Sequence, residues 1–147
     1  MYEEFKLKNY TTDISAERSI MEIEKMLSIF KASAIMKEYA GDGTVRSIVF
    51  KLNDKGYKLP SNCEGVRKIL FVGKRVCGRR DAMRNRDIRA YNISWRIIRD
   101  WLHAQLSIIA SGQAQPEQIM LPYMWDGKRT LYDAYTEGRL QIEEGGT

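Results

Sequence analysis

Lys74, Arg75, Arg79, Arg80, Arg84 and Arg86 fall within a short stretch in which Gly73 and Gly78 bracket the run GKRVCGRR. Guanidinium groups form planar forks that grip phosphate oxygens two at a time, and glycines let backbone N–H groups come close to an anion. The chemistry expected of this stretch is therefore the holding of phosphate. Arg89, Arg96 and Arg99 continue the series along the chain and complete the expected anion-binding set. Lys and Arg near the start of a helix oppose its dipole, at about 0.3–1 kcal/mol each at a surface, a cost that a bound anion would offset.

Other chemistries find less support. Gly73-Lys74 is followed by arginine and lacks the upstream glycine of a Walker loop. Neither a Rossmann fingerprint nor a helix-turn-helix, zinc-finger or RNA-recognition signature is present, so binding should be to the backbone and not to particular bases. His103 is the single histidine, and its helical neighbours include Arg96, Arg99 and Ser107, so it is read as a surface residue and not as a general base. Cys63 and Cys77 stand apart without a CxxC pattern. No catalytic residue, no metal and no cofactor are expected, and the reading is of a non-enzymatic protein.

The charge distribution agrees with an anionic partner. Between residues 67 and 100 there are eleven Lys/Arg against three acids, an excess of eight positive charges, whereas the whole chain carries only +5. The rest of the chain is thus slightly acidic, and the anion should meet the central segment. With 147 residues, 44% hydrophobic and 29% charged, the chain suits a single domain spanning residues 1–147. No segment reaches the roughly 18 apolar residues of a membrane span, and MYEEFKLKNYTT lacks the apolar core of a secretory signal. A cytoplasmic location away from membranes is expected.

The elements that must position the basic segment read as α+β. FKLKNYTT alternates like a short first strand. Ser15 caps a helix whose Ile20, Ile23, Leu27 and Phe30 share an apolar face, with Glu22 and Lys25 on the solvated side. SAIMKEYA and TVRSIVFKL flank Gly41-Asp42-Gly43 as a hairpin, in which Arg46, Ile48, Phe50 and Leu52 share the expected core side. Asn53-Asp54-Lys55-Gly56 marks another turn, leading into YKLP. EGVRKILFVG fits either a short helix or a strand.

A long helix is expected from about Asp81 to Ser111, stopped by Gly112 and about 45 Å in length. Ile88, Tyr91, Trp95, Ile98, Leu102, Leu106 and Ile109 form one apolar stripe, and Ile93, Ile97, Trp101, Ala104 and Ile108 a second. Arg89, Asn92, Arg96, Arg99 and His103 occupy the remaining arc, a narrow and basic solvated edge. The tryptophans lie on apolar arcs and should pack in the core, not stack on bases. Near the end, TLYDAY is a short helix with Thr130 and Asp133 spaced as a capping pair, while Leu121, Tyr123, Trp125 and Tyr132 should cover the long helix. In the alternative arrangement, Tyr123 and Trp125 wall a ligand pocket or a dimer contact beside the arginines. The fold expected is a small antiparallel sheet packed with an N-terminal helix and a long C-terminal helix.

YTTDISAERSIMEIEKML, SWRIIRDWLHAQLSIIASG and LPYMWDGKRTLYDAY, in that order, resemble a family of small phage and prophage proteins without an established activity. The patterns cover about half the chain, and residues 73–86 match them least. The resemblance implies a viral or mobile-element origin and a host bacterial cytoplasm, and it carries over no catalytic residue. Two functions of different classes follow. One is nucleic-acid binding through the arginine segment. The other is counter-defence, in which the protein sequesters a phosphorylated nucleotide signal or blocks a host defence protein. Self-association is left open by the sequence.

Overall fold

The computed structural model describes residues 5–71 and 80–138; the side chains at 71 and 80–84 lie outside that description. In chain order the elements are α1 (Ala16–Ile29), β1 (Ala34–Tyr39), β2 (Val45–Leu52), β3 (Lys55–Lys58), α2 (Cys63–Phe71), α3 (Arg80–Ala110), α4 (Pro116–Met120), a 3-10 turn (Leu121–Tyr123) and α5 (Leu131–Thr136). The class is α+β, with one three-stranded antiparallel sheet. The chain groups into two compact units, Met1–Leu27 with Ser61–Leu106 and Ser28–Pro60 with Ser107–Thr147.

The first unit is helical. Arg18 N–H donates to Ser15 Oγ at 3.2 Å and opens α1, whose Ala16, Ile20, Ile23 and Leu27 are buried as the spacing requires. EGVRKILFVG resolves as a helix over its described part, because Gly65 N–H donates to Asn62 Oδ1 at 3.1 Å. Asn62 is a helix-starting residue by type, and the cap decides what the apolar run alone does not. Leu70 of α2 packs with Ala90 and Ile93 of α3, joined by Tyr10, Cys63, Val66 and Ile97. Further along α3, Trp95, Leu102 and Leu106 are buried, whereas Ile88 at the head of the expected stripe is 48% exposed.

FKLKNYTT is not a strand. Its residues form turns: Thr12 N–H donates to Asn9 O at 3.0 Å, and Asn9 sits at φ 64°. Two alternating apolar positions are weak evidence for a strand, and Phe5 proves 72% exposed. Asn and Thr side chains offer the backbone local and tertiary hydrogen bonds that compete with a ladder. Here Asn9 Nδ2 donates to Asp100 at 2.8 Å and Thr12 Oγ1 accepts from Ile14 N–H at 3.2 Å.

The second unit holds the sheet, in the order β1-β2-β3. β1 and β2 pair as Met36 with Val49 and Glu38 with Ser47, and the register shifts at Glu38/Tyr39. Ile48, Phe50 and Leu52 are buried as expected, but Ser47 and Val49 on the other face are buried as well. Phe50 and Tyr57 stack across β2 and β3 with ring centroids 5.5 Å apart. Trp125 N–H donates to Gly56 O at 2.9 Å and Met124 pairs with Tyr57, which lays the segment after the 3-10 turn along β3. A Cβ at Gly56 would stand 3.3 Å from the Trp125 carbonyl oxygen, so glycine suits that close approach. Leu121 and Tyr132 stay 45% and 59% exposed. Thr130 and Asp133 form the reciprocal cap of α5.

The β2–β3 turn carries Asn53 at φ 51° and Asp54 at φ 64°, the two positive angles of a two-residue type I′ hairpin. Asn-Gly fits that turn better than Asn-Asp, because glycine bears no Cβ penalty there. Asp54→Gly is expected to stabilise the protein by up to about 1 kcal/mol, seen as a raised thermal midpoint.

Candidate nucleic-acid interface

The sequence-expected anion-binding residues fall into three groups. Lys74, Arg75 and Arg79 lie outside the described residues, and Arg80 and Arg84 are known only as backbone of the first turns of α3. Arg86 is half-buried and Arg89 exposed. Arg96 and Arg99, farther along the helix, are only 14% and 22% exposed at the side chain.

Those last two differ from the solvated edge expected of the basic arc. The α3 face bearing Asn92, Arg96 and Asp100 receives the start of the chain and α1. Asn92 Oδ1 accepts from Ala16 N–H at 2.9 Å, which satisfies one of the open donors at the start of α1. Glu22 accepts from Arg96 and lies 3.7 Å from Arg99 Nε. Arg99 also donates to Asp100 Oδ1 at 3.0 Å, and Lys8 stands 3.7 Å from the other Asp100 oxygen. Contacts advance in the same sense along both helices, from Ala16 at Asn92 to Glu22 at Arg96 and Arg99. Glu22, expected on the solvated side of α1, is in fact a partner of two arginines.

Burial alone would raise the Asp100 carboxyl, but the Asn9 amide, the Arg99 hydrogen bond and the charges of Arg96 and Lys8 outweigh it. The group is held below its ordinary range and stays ionised among its cations. At the α2 side, Arg67 pairs with Asp87 at 2.8 Å and with Glu64 at 3.5 Å. Among the described residues, Arg67, Arg96 and Arg99 are thereby matched by carboxylates. Lys68, Lys74, Arg75, Arg79, Arg80, Arg84, Arg86 and Arg89 make up the rest of the central bases in the sequence. Lys68, outside the expected set, is exposed and precedes it in the sequence.

Arg89 is anchored differently. Its guanidinium lies over the Tyr10 ring, 4.7 Å from the centroid, and donates to the Tyr10 carbonyl at 3.1 Å. Beside it an open depression of about 440 Å³ is lined by Thr11, Thr12, Asp13, Asn85, Ile88, Arg89 and Asn92. Asn85, Arg89 and Asn92 share one α3 face by helical spacing, a signal present in the sequence. Tyr10 and Asp13 reach them through the N-terminal turn, which local pattern does not foretell.

Tyr123 and Trp125 belong to the second unit, where both are half-buried. Trp125 lines two neighbouring depressions, of about 330 and 370 Å³, together with Gly56 and Asp126. His103 is exposed on α3. Among the described residues no group of three or more His, Cys, Asp or Glu is placed to hold a metal, and no helix is long and apolar enough to cross a membrane. Cys63 forms no disulfide among them, and Cys77 lies outside them. Comparison with protein-family models, with curated proteins and with solved structures gave no match.

Proposed function

We propose that the protein is a phage-encoded, non-enzymatic nucleic-acid-binding protein that holds the phosphate backbone with the basic segment running from Lys68 to Arg89. The observation that carries this reading is the excess of eight positive charges between residues 67 and 100. Arg67, Arg96 and Arg99 are matched by Glu64, Asp87, Glu22 and Asp100, while the bases between them outnumber the acids. A dense run of Lys and Arg gains affinity by displacing counterions from a phosphate chain. The phage origin rests on the resemblance of the quoted patterns, and with it the host cytoplasm.

The test is a titration of nuclease-treated protein against labelled single- and double-stranded DNA and RNA over a range of salt. Affinity should fall steeply with salt. Replacing Arg75, Arg79, Arg80 and Arg84 together by alanine should lower the log–log salt slope by about three, from roughly 0.7–0.9 per phosphate contact. Arg96→Ala should leave the slope unchanged and lower stability instead. Absence of binding at low salt, or an unchanged slope in the quadruple variant, overturns the reading.

A second reading is counter-defence by sequestering a phosphorylated nucleotide or by blocking a host defence protein. It is favoured by the depression beside Arg89, whose volume lies within the ordinary range of small-ligand pockets. Retention of mononucleotides without binding of any polymer would select it.

A further inference from the structure

We propose that the depression beside Arg89 receives one unpaired base of a single strand, with the guanidinium as its stacking platform and Asp13 as an acceptor for the base's exocyclic amine. This rests on the nucleic-acid reading and adds to it a strand preference and a base preference.

The argument starts from how Arg89 is held. An exposed arginine ordinarily samples many rotamers, and immobilising it on a ligand costs binding free energy. Here the ring of Tyr10 lies on one side of the guanidinium at 4.7 Å and the Tyr10 carbonyl accepts one of its N–H groups at 3.1 Å. Arg89 lines the depression and Tyr10 is not among its lining residues, so the Tyr10-backed arginine stands at the edge of the open space. A guanidinium plane backed by an aromatic ring is a surface on which an unstacked base can lie. Ile88, 48% exposed, adds an apolar wall on the same rim.

The rest of the lining is polar and unequal in kind. Thr11, Thr12 and Asn85 can donate or accept, so they fit sugar hydroxyls, phosphate or base edges alike. Asp13 is exposed and, when ionised, can only accept. It therefore favours a base that turns an amine toward it and disfavours one that turns a carbonyl. Cytosine presents the N4 amine where thymine presents the O4 oxygen, and the two are otherwise alike in size. A base inside a duplex is stacked and paired, so only a single strand can place one here without the cost of flipping it.

The experiment compares oligo(dC), oligo(dT) and a duplex of the same length at one low salt concentration and slightly alkaline pH, where cytosine is neutral. The wild-type protein should bind oligo(dC) roughly fivefold or more tighter than oligo(dT). Asp13→Asn, whose amide can also donate, should erase that ratio without weakening duplex binding. Arg89→Lys keeps the charge but loses the plane, and should weaken both single strands by roughly fivefold or more relative to the duplex. Unaltered melting curves would confirm that both variants are folded. Equal affinity for the two oligomers, or single-strand binding indifferent to Arg89→Lys, overturns the inference and leaves the phosphate reading standing. Failure of every oligomer and of the duplex to bind overturns both.

Discussion

Replacing Trp95 by alanine is expected to lower the stability of the protein by about 3–5 kcal/mol, the cost of removing a large aromatic side chain from a packed interior. Trp95 is 1% exposed and sits on the α3 stripe with Leu102 and Leu106, both also buried. A small protein is stable by only about 5–15 kcal/mol in total, so the variant should be partly unfolded at ambient temperature or nearly so. The denaturant midpoint should fall without a change of slope, since the folded surface is otherwise the same. Trp95→Phe fills much of the same space and should cost markedly less. The chain has three tryptophans, and Trp101 and Trp125 are only half-buried, so Trp95→Phe should also shift the native emission to the red. Because the ring faces the core, Trp95→Phe should leave the salt slope of nucleic-acid binding unchanged. A slope that fell with this substitution would make the tryptophan part of the interface.

What the sequence made legible were the features whose cause is local. Ser15 and Thr130 cap the helices that follow them, and Gly112 at φ 76° ends α3 where a left-handed residue is needed. The β1–β2 hairpin falls around Gly43 at φ 86°. What stayed hidden has causes distant in the chain. The helical wheel of α3 identifies the basic arc, but it cannot say that Glu22, 74 residues before Arg96, will fill it. Nor does any local pattern tell that Asn9 will turn to reach Asp100, 91 residues later, so that FKLKNYTT becomes a latch on α3 in place of a strand. The same tertiary contacts mark out Arg96 and Arg99, among the central arginines, as held by carboxylates across the fold. Composition alone counted the central arginines as one set.

That pairing leads to the last expected result. Asp100→Asn keeps an acceptor for the Asn9 amide but removes the charge that faces Arg99 at 3.0 Å, Lys8 at 3.7 Å and Arg96 at 3.8 Å. Hydrogen bonds to charged groups contribute about 1.5–3 kcal/mol, and Glu22 remains to hold both arginines, so a loss of about 1–3 kcal/mol is expected at neutral pH. The sign of the pH dependence follows from the depressed carboxyl of Asp100. The unfolded chain takes up the proton first as pH falls, at about pH 3.9, and the folded chain only below that. The stabilisation is therefore complete at neutral pH, begins to fade as pH approaches the unfolded value and is gone once pH has passed the folded one. Urea melts of the two proteins should converge over that acid window and stay parallel above about pH 6. A gap that persisted in acid would show that packing, and not charge, accounts for the loss. Nucleic-acid binding supplies the second reading of the same variant. If Arg96 and Arg99 serve the fold and the bases before them serve the phosphate, Asp100→Asn should lower stability while the salt slope stays within error of the wild type. A steeper slope would mean that arginines released from Asp100 had turned to the ligand.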